Sequence, residues 1–138
     1  MPDITPQYPL SEHAGDTLIA ASGRALGDIT LDAAVTGELS PADLQIHAET
    51  LRAQAAVAGR AGYTQLAENL TRAAELTAVP NEELLAMYAM LRPGRSSYDE
   101  LRQLAETLAA TYQAPRNAEW VREAAEVYQR RGLLRRDP

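Results

Sequence analysis

"RAAELTAVPNEELLAMYAMLRPGRSS", residues 72–97, holds two helical patterns divided by Pro80 and closed by Pro93 and Gly94. Pro80 ends the first pattern, because the residue before a proline is biased away from helical backbone angles. Asn81 then reads as the N-cap of the next helix, and Glu82 and Glu83 place negative charge in its first turn. Leu84, Tyr88 and Leu91 make its apolar stripe. Pro93 restricts the backbone and Gly94 frees it, so Arg92 and Arg95 flank a turn that can aim two guanidinium groups outward. Arg is suited to forked contacts at protein interfaces. Arg72 and Glu75, three residues apart, either pair on the helix surface or both reach a partner. Nothing in the stretch has the makings of a bond-breaking site.

Downstream the helical grammar continues. Ser97 and Glu100 are spaced as a capping box, which starts a helix at Tyr98. Leu101, Leu104, Ala105, Leu108 and Tyr112 recur at the helical period. Pro115 opens a last helix with Val121, Ala124, Ala125 and Tyr128 on its apolar face, and Gly132 ends it. Trp120 beside this stripe is a candidate binding anchor, and the tail from Leu133 is expected to fray unless docked. Upstream, residues 31–36 fit a short helix capped by Thr30 and stopped by Gly37. Ser40, Pro41 and Asp43 mark another helix start, for a piece as short as one turn. A helix over 48–61 carries Leu51, Ala55 and Ala58 on one face and stops at Gly62. The next segment places Leu66, Leu70, Ala73, Ala74 and Thr77 together. The two segments form either an antiparallel hairpin or one kinked helix.

Residues 1–28 read as an irregular N-terminal arm. Pro2, Pro6 and Pro9 prevent a continuous helix, and "LIAAS" (18–22) fits a short strand. Tyr8, Pro9 and Leu10 are apolar anchors that should lie on the body or on a neighbour. The expected architecture is all-α, a small helical bundle over 29–138 behind that arm.

Composition removes whole classes of function. The net charge of the 138 residues is −6, against the basic face that a nucleic-acid binder needs. There is no Cys for thiolate chemistry or metal, and no Lys for a Schiff base. His13 and His47 lack metal-ligand partners at helical spacing, which favours solvated or capping roles. Glu82/Glu83, Asp99/Glu100 and Glu123/Glu126 read as solvated helix faces. "GRAG" and "RPGRSS" lack phosphate-loop spacing. No apolar run is long enough to span a membrane and no signal pattern opens the chain, so the cytoplasm is expected.

"ETLRAQA", "RAAELTAVP", "YAMLRP", "RSS", "ELRQLAETL" and "WVREAAEVY" resemble the small subunit of adenosylcobalamin-dependent diol and glycerol dehydratases. The likeness runs from "YPL" to "QRRGLLR" and is most specific over Arg72 to Ser96. The chain departs from the family pattern at Gln45, His47, Leu70 and Gly94. It is nearer in length to the glycerol dehydratase type than to subunits with a long N-terminal extension. The resemblance implies a heterohexamer with two copies each of large, medium and small subunits. Adenosylcobalamin would lie between the large and medium subunits, and radical chemistry would turn a diol into an aldehyde. The small subunit would supply no catalytic group, no cofactor ligand and no metal ligand. Its expected interface residues are Tyr8, Pro9, Leu10, Arg72, Glu75, Arg92, Pro93, Arg95 and Ser96, docking mainly on the large subunit. A free-standing helical adaptor or regulator is the alternative, and an independent small enzyme the third reading.

Overall fold

The computed structural model describes residues 6–136, so Pro2 of the arm and Asp137 and Pro138 of the tail lie outside the described residues. Seven α-helices appear among them: α1 (Leu10–His13), α2 (Leu31–Val35), α3 (Ala48–Arg60), α4 (Thr64–Leu76), α5 (Asn81–Met90), α6 (Tyr98–Ala110) and α7 (Pro115–Arg131). The fold is all-α, as expected. The chain gathers into two units, Met1–Ala74 and Glu75–Pro138. The expected arm boundary at residue 28 falls inside the first.

In the first unit, the "LIAAS" strand is reduced to two isolated bridges, Ile19 with Ala25 and Ala20 with Ile46. The chain turns back at Gly23 too soon for a ladder, since the Ala20 N–H already donates to the Arg24 carbonyl at 2.9 Å. The Thr30 hydroxyl caps α2 by accepting from the Ala33 N–H at 3.1 Å. Pro41–Leu44 is a single 3-10 turn with a complete capping box between Ser40 and Asp43. Leu51, Ala55 and Ala58 are the buried face of α3, as their spacing predicts.

Gly62 settles the choice after α3. Its φ of 89° is left-handed, the Tyr63 N–H donates to the Ala58 carbonyl at 2.9 Å, and the Gly62 N–H to the Gly59 carbonyl at 3.1 Å. These are the two bonds of a Schellman stop, so α3 and α4 are separate helices and not one kinked helix. Of the face expected on α4, Ala74 is buried, Leu66 is half exposed, and Ala73 and Thr77 face out.

In the second unit, α6 and α7 pack against each other along most of their length. Leu101, Ala105, Ala114, Ala118 and Ala125 are completely buried there, joined by Leu104, Leu108 and Val121. Alanine at facing positions lets two helices approach closely, so a core without Phe still closes. Tyr128 packs at its edge and donates its hydroxyl to the Leu91 carbonyl at 2.6 Å.

Two expectations on α5 are corrected. Asn81 is the first helical residue and not the cap; Pro80 holds the cap position with extended backbone and no side-chain bond. The inward stripe is Leu84, Met87, Met90 and Leu91, whereas Tyr88 is 58% exposed beside Leu85 at 69%. Met87 and Met90 reach the α6–α7 core and turn Tyr88 outward.

Leu101 is the largest fully buried side chain. Leu101→Ala should cost about 2–5 kcal/mol by cavity formation, read as a lower denaturant midpoint. A loss well under 1 kcal/mol would mean that the α6–α7 contact is not the core of this unit.

Candidate docking surface

The turn between α5 and α6 is more firmly built than its sequence suggests. The Gly94 N–H donates to the Leu133 carbonyl at 2.8 Å, and the Arg135 N–H donates to the Ser96 carbonyl at 2.8 Å. Arg135 also reaches the Glu100 carboxylate at 2.9 Å, while the Ser96 hydroxyl donates to the Met90 carbonyl at 2.7 Å. The tail therefore does not fray through Arg136; it is docked, with Leu134 against the core. Gly132 makes this possible by closing α7 at a φ of 66° and sending the chain back. Hydrogen bonding from the Ser97 backbone, then from Arg135, lowers the Glu100 pKa and keeps the brace charged.

On this braced turn Arg92, Pro93 and Arg95 are exposed. Neither guanidinium has a polar partner among the described residues. The tail brings exposed Arg136 beside Pro93 and Gly94, and exposed Arg130 and Arg131 stand in the last turn of α7, just before the bond from Gly94 to Leu133. A chain of net charge −6 thus carries a basic face. Sequence reasoning singled out Arg92 and Arg95 and missed the other three. The signal for Arg136 was Gly132, whose αL stop turns the following residues back, and Arg130 and Arg131 form the basic last turn of α7.

The other expected interface residues divide. Ser96 and Glu75 are buried, at 4% and 9% exposure. Glu75 accepts from the backbone N–H groups of Arg116 and Asn117, at 3.1 and 3.0 Å, and from the Asn117 side chain at 2.7 Å. It serves the N-terminus of α7 and is not a surface side chain. Arg72 donates to Asn69. In the first unit Leu10 is buried, while Tyr8 is 80% exposed. Tyr8 and Leu10 line an apolar groove of about 550 Å³ with Val57, Ala58, Tyr63 and Leu66. The arm is thus anchored on its own unit through Leu10.

A latch holds the rest of the arm. Asp43, 5% exposed, accepts from the Ser22 hydroxyl at 2.6 Å and the Ser40 N–H at 2.7 Å, and lies 3.3 Å from the Arg24 guanidinium. The sequence showed Asp43 as a capping residue but not its reach across to Ser22 and Arg24. The Ser22 and Ser40 bonds, with Arg24 adding its charge, hold the carboxyl down to about 2 from an ordinary 3.8.

The histidines have plain roles. His47 Nδ1 accepts from the Glu49 N–H at 3.1 Å and caps α3, and His13 is exposed on α1. Among the described residues no three His, Cys, Asp or Glu side chains gather as a metal set. No described helix is long and apolar enough to cross a membrane.

Residues 4–135 match the family model described as the dehydratase small subunit. The chain belongs to the dehydratase small-subunit family. It is 43% identical over 130 residues to the propanediol dehydratase small subunit of Citrobacter freundii, covering 94% of this chain and 76% of that one. It is 42% identical over 130 residues to the protein of the same name from Salmonella typhimurium, covering 94% and 75%. The chain is one component of an enzyme assembly, and its surface is where it meets the others.

The Asp43 latch titrates in a defined window. In the unfolded chain the carboxyl ionises near 3.8, and in the folded chain near 2. Its contribution is complete above about 4 and disappears as the pH falls towards 2. Asp43→Asn should therefore be less stable than wild type at neutral pH, with the gap in denaturant midpoint closing across that window. A gap that stays constant from pH 5 to pH 2 would show that the carboxylate charge contributes nothing.

Proposed function

We propose that this chain is the small subunit of an adenosylcobalamin-dependent diol dehydratase, acting in the cytoplasm and docking mainly on the large subunit. The observation that carries this reading is the family match along residues 4–135, joined to two relatives named propanediol dehydratase small subunits. The reaction would be radical dehydration of a 1,2-diol, or of glycerol, to an aldehyde. Adenosylcobalamin would be held by the large and medium subunits, two copies of each in a heterohexamer. This chain contributes surface and no reacting group.

The residues proposed for docking are exposed Tyr8 with half-buried Pro9 beside it on the arm, and exposed Arg92, Pro93 and Arg95 on the braced turn. Leu10, Glu75 and Ser96 support that surface from inside, by anchoring the arm, capping α7 and tying down the turn. Arg72 stands on α4, two residues before the first unit ends. Because the turn is held on both sides by backbone bonds, its two guanidinium groups lose little freedom on binding a carboxylate.

The test uses all three subunits. Diol turnover with adenosylcobalamin should require this chain, and the chain alone should be inactive. Full turnover by the large and medium subunits without it would sink the reading. Arg92→Glu with Arg95→Glu should leave helicity unchanged, since exposed charges contribute little to stability. The double variant should weaken assembly at least tenfold and leave the Michaelis constant for diol unchanged in the complex that forms. Normal assembly with an altered Michaelis constant would move the role of this turn from docking to the substrate.

A further inference from the structure

Residues 132–136 lie across the turn between α5 and α6 and touch it at few points. Leu133 and Arg135 each make one backbone hydrogen bond to it, both of 2.8 Å, at Gly94 and at Ser96. The Arg135 guanidinium adds the Arg95 carbonyl at 3.3 Å and the Glu100 carboxylate at 2.9 Å. Both members of that ion pair are nearly half exposed, at 44% and 43%, so water screens it. Leu134 supplies the apolar contact with the core and is itself only half-buried. A cavity of about 480 Å³ is lined by Pro93 and Gly94 from the turn and by Gly132, Leu133, Leu134, Arg135 and Arg136 from the segment. The segment is thus attached at points around a void, unlike the close packing of α6 on α7.

The segment also has a free hinge. Gly132 sits at a φ of 66°, and nothing lies within 4 Å of where a Cβ would stand. A glycine in open space can swing through backbone conformations closed to other residues. The turn has a hold of its own at one end. Ser96 is 4% exposed, and its hydroxyl donates to the Met90 carbonyl at 2.7 Å. Arg92, Pro93, Gly94 and Arg95 are exposed, and the Gly94 N–H is tied to Leu133. If the segment lifts, residues 92–95 lose that tie while Ser96 stays in place. Charge pulls the same way. Arg135 and Arg136 arrive with the segment at a turn that already carries Arg92 and Arg95, and Glu100 is the carboxylate paired with them. Like charges brought together favour the open form.

We propose that residues 132–136 are a hinged strap, which opens about Gly132 while the α6–α7 core stays folded, and whose position sets whether Arg92 and Arg95 are held in fixed directions or left loose. The inference concerns contacts within this chain and stands apart from the dehydratase reading. Few and exposed attachments are what permit a local opening below the global one. Ordering a chain end costs entropy, and the contacts of the strap offset it narrowly. An anionic group that engages Arg92 and Arg95 in their held directions favours the closed strap. By linkage, closing the strap favours that binding equally.

Amide hydrogen exchange of the full chain, corrected for intrinsic rates, tests the strap. Gly94 and Arg135 should share one protection factor, about a hundredfold or more below those of Leu104, Leu108 and Val121. Leu134→Ser with Arg135→Gln should lower the Gly94 value about tenfold or more and leave the three core amides as they were. Arg135→Gln alone changes one exposed side chain, so a folding defect does not stand in for strap release, and it should lower the Gly94 value about threefold. A Gly94 value equal to the core values in the wild type, or falling in step with them in the variants, would make the segment part of the core and overturn the inference. A Gly94 value unchanged in both variants would overturn it too, because something other than the strap would then hold the turn.

Discussion

One carboxylate organises the second unit. The helix α7 begins at Pro115, which has no N–H, behind Ala114, which has no side chain able to cap. The first donors of that helix, at Arg116 and Asn117, would be orphaned, and orphaned buried donors are costly. Glu75 supplies both acceptors from some forty positions upstream and brings negative charge to the positive end of the helix dipole. With its start fixed, α7 lies along α6 through alanines. Gly132 then returns the chain to Gly94 and Ser96, and the returning strand of tail braces the turn that presents Arg92 and Arg95. The outward surface is thus the last link of a chain of dependencies that begins inside.

How much of this was legible follows from how local each signal is. Thr30, Ser40 with Asp43, and Ser97 with Glu100 are caps whose donor and acceptor lie three residues apart, so sequence spacing revealed them. The stripe Leu101, Leu104, Ala105 and Leu108 was equally plain, because α6 buries only one face. Glu75 was read as either pairing with Arg72 on the helix surface, which their three-residue spacing allows, or reaching a partner. Its actual partners depend on tertiary placement. Asn81 failed in another way: Pro80 provides extended backbone at the cap position, so the helix begins one residue before a capping Asn would put it. Tyr88 was placed inward because it is large and apolar at the right period, but two methionines fill that space.

The candidate surface was half legible. Arg92 and Arg95 were visible because Pro93 and Gly94 isolate them. Arg136 was not, because its proximity requires the chain to reverse after Gly132, and Arg130 and Arg131 were visible only as the basic last turn of α7. The family relationship was legible, since the resemblance read from several separate segments is matched by a family model over residues 4–135.

The tail brace has a consequence for synthesis. Residues 92–97 leave the ribosome well before Leu133 and Arg135, the residues that pin them. At roughly 5–20 residues per second, the turn waits a few seconds for its brace. During that interval its backbone donor at Gly94 and acceptor at Ser96 are unmatched by the tail. The basic end is therefore finished only after Leu133 and Arg135 have been made. A chain interrupted before Leu133 would carry Arg92 and Arg95 without the geometry that presents them, so the surface is set by residues made some forty positions after it.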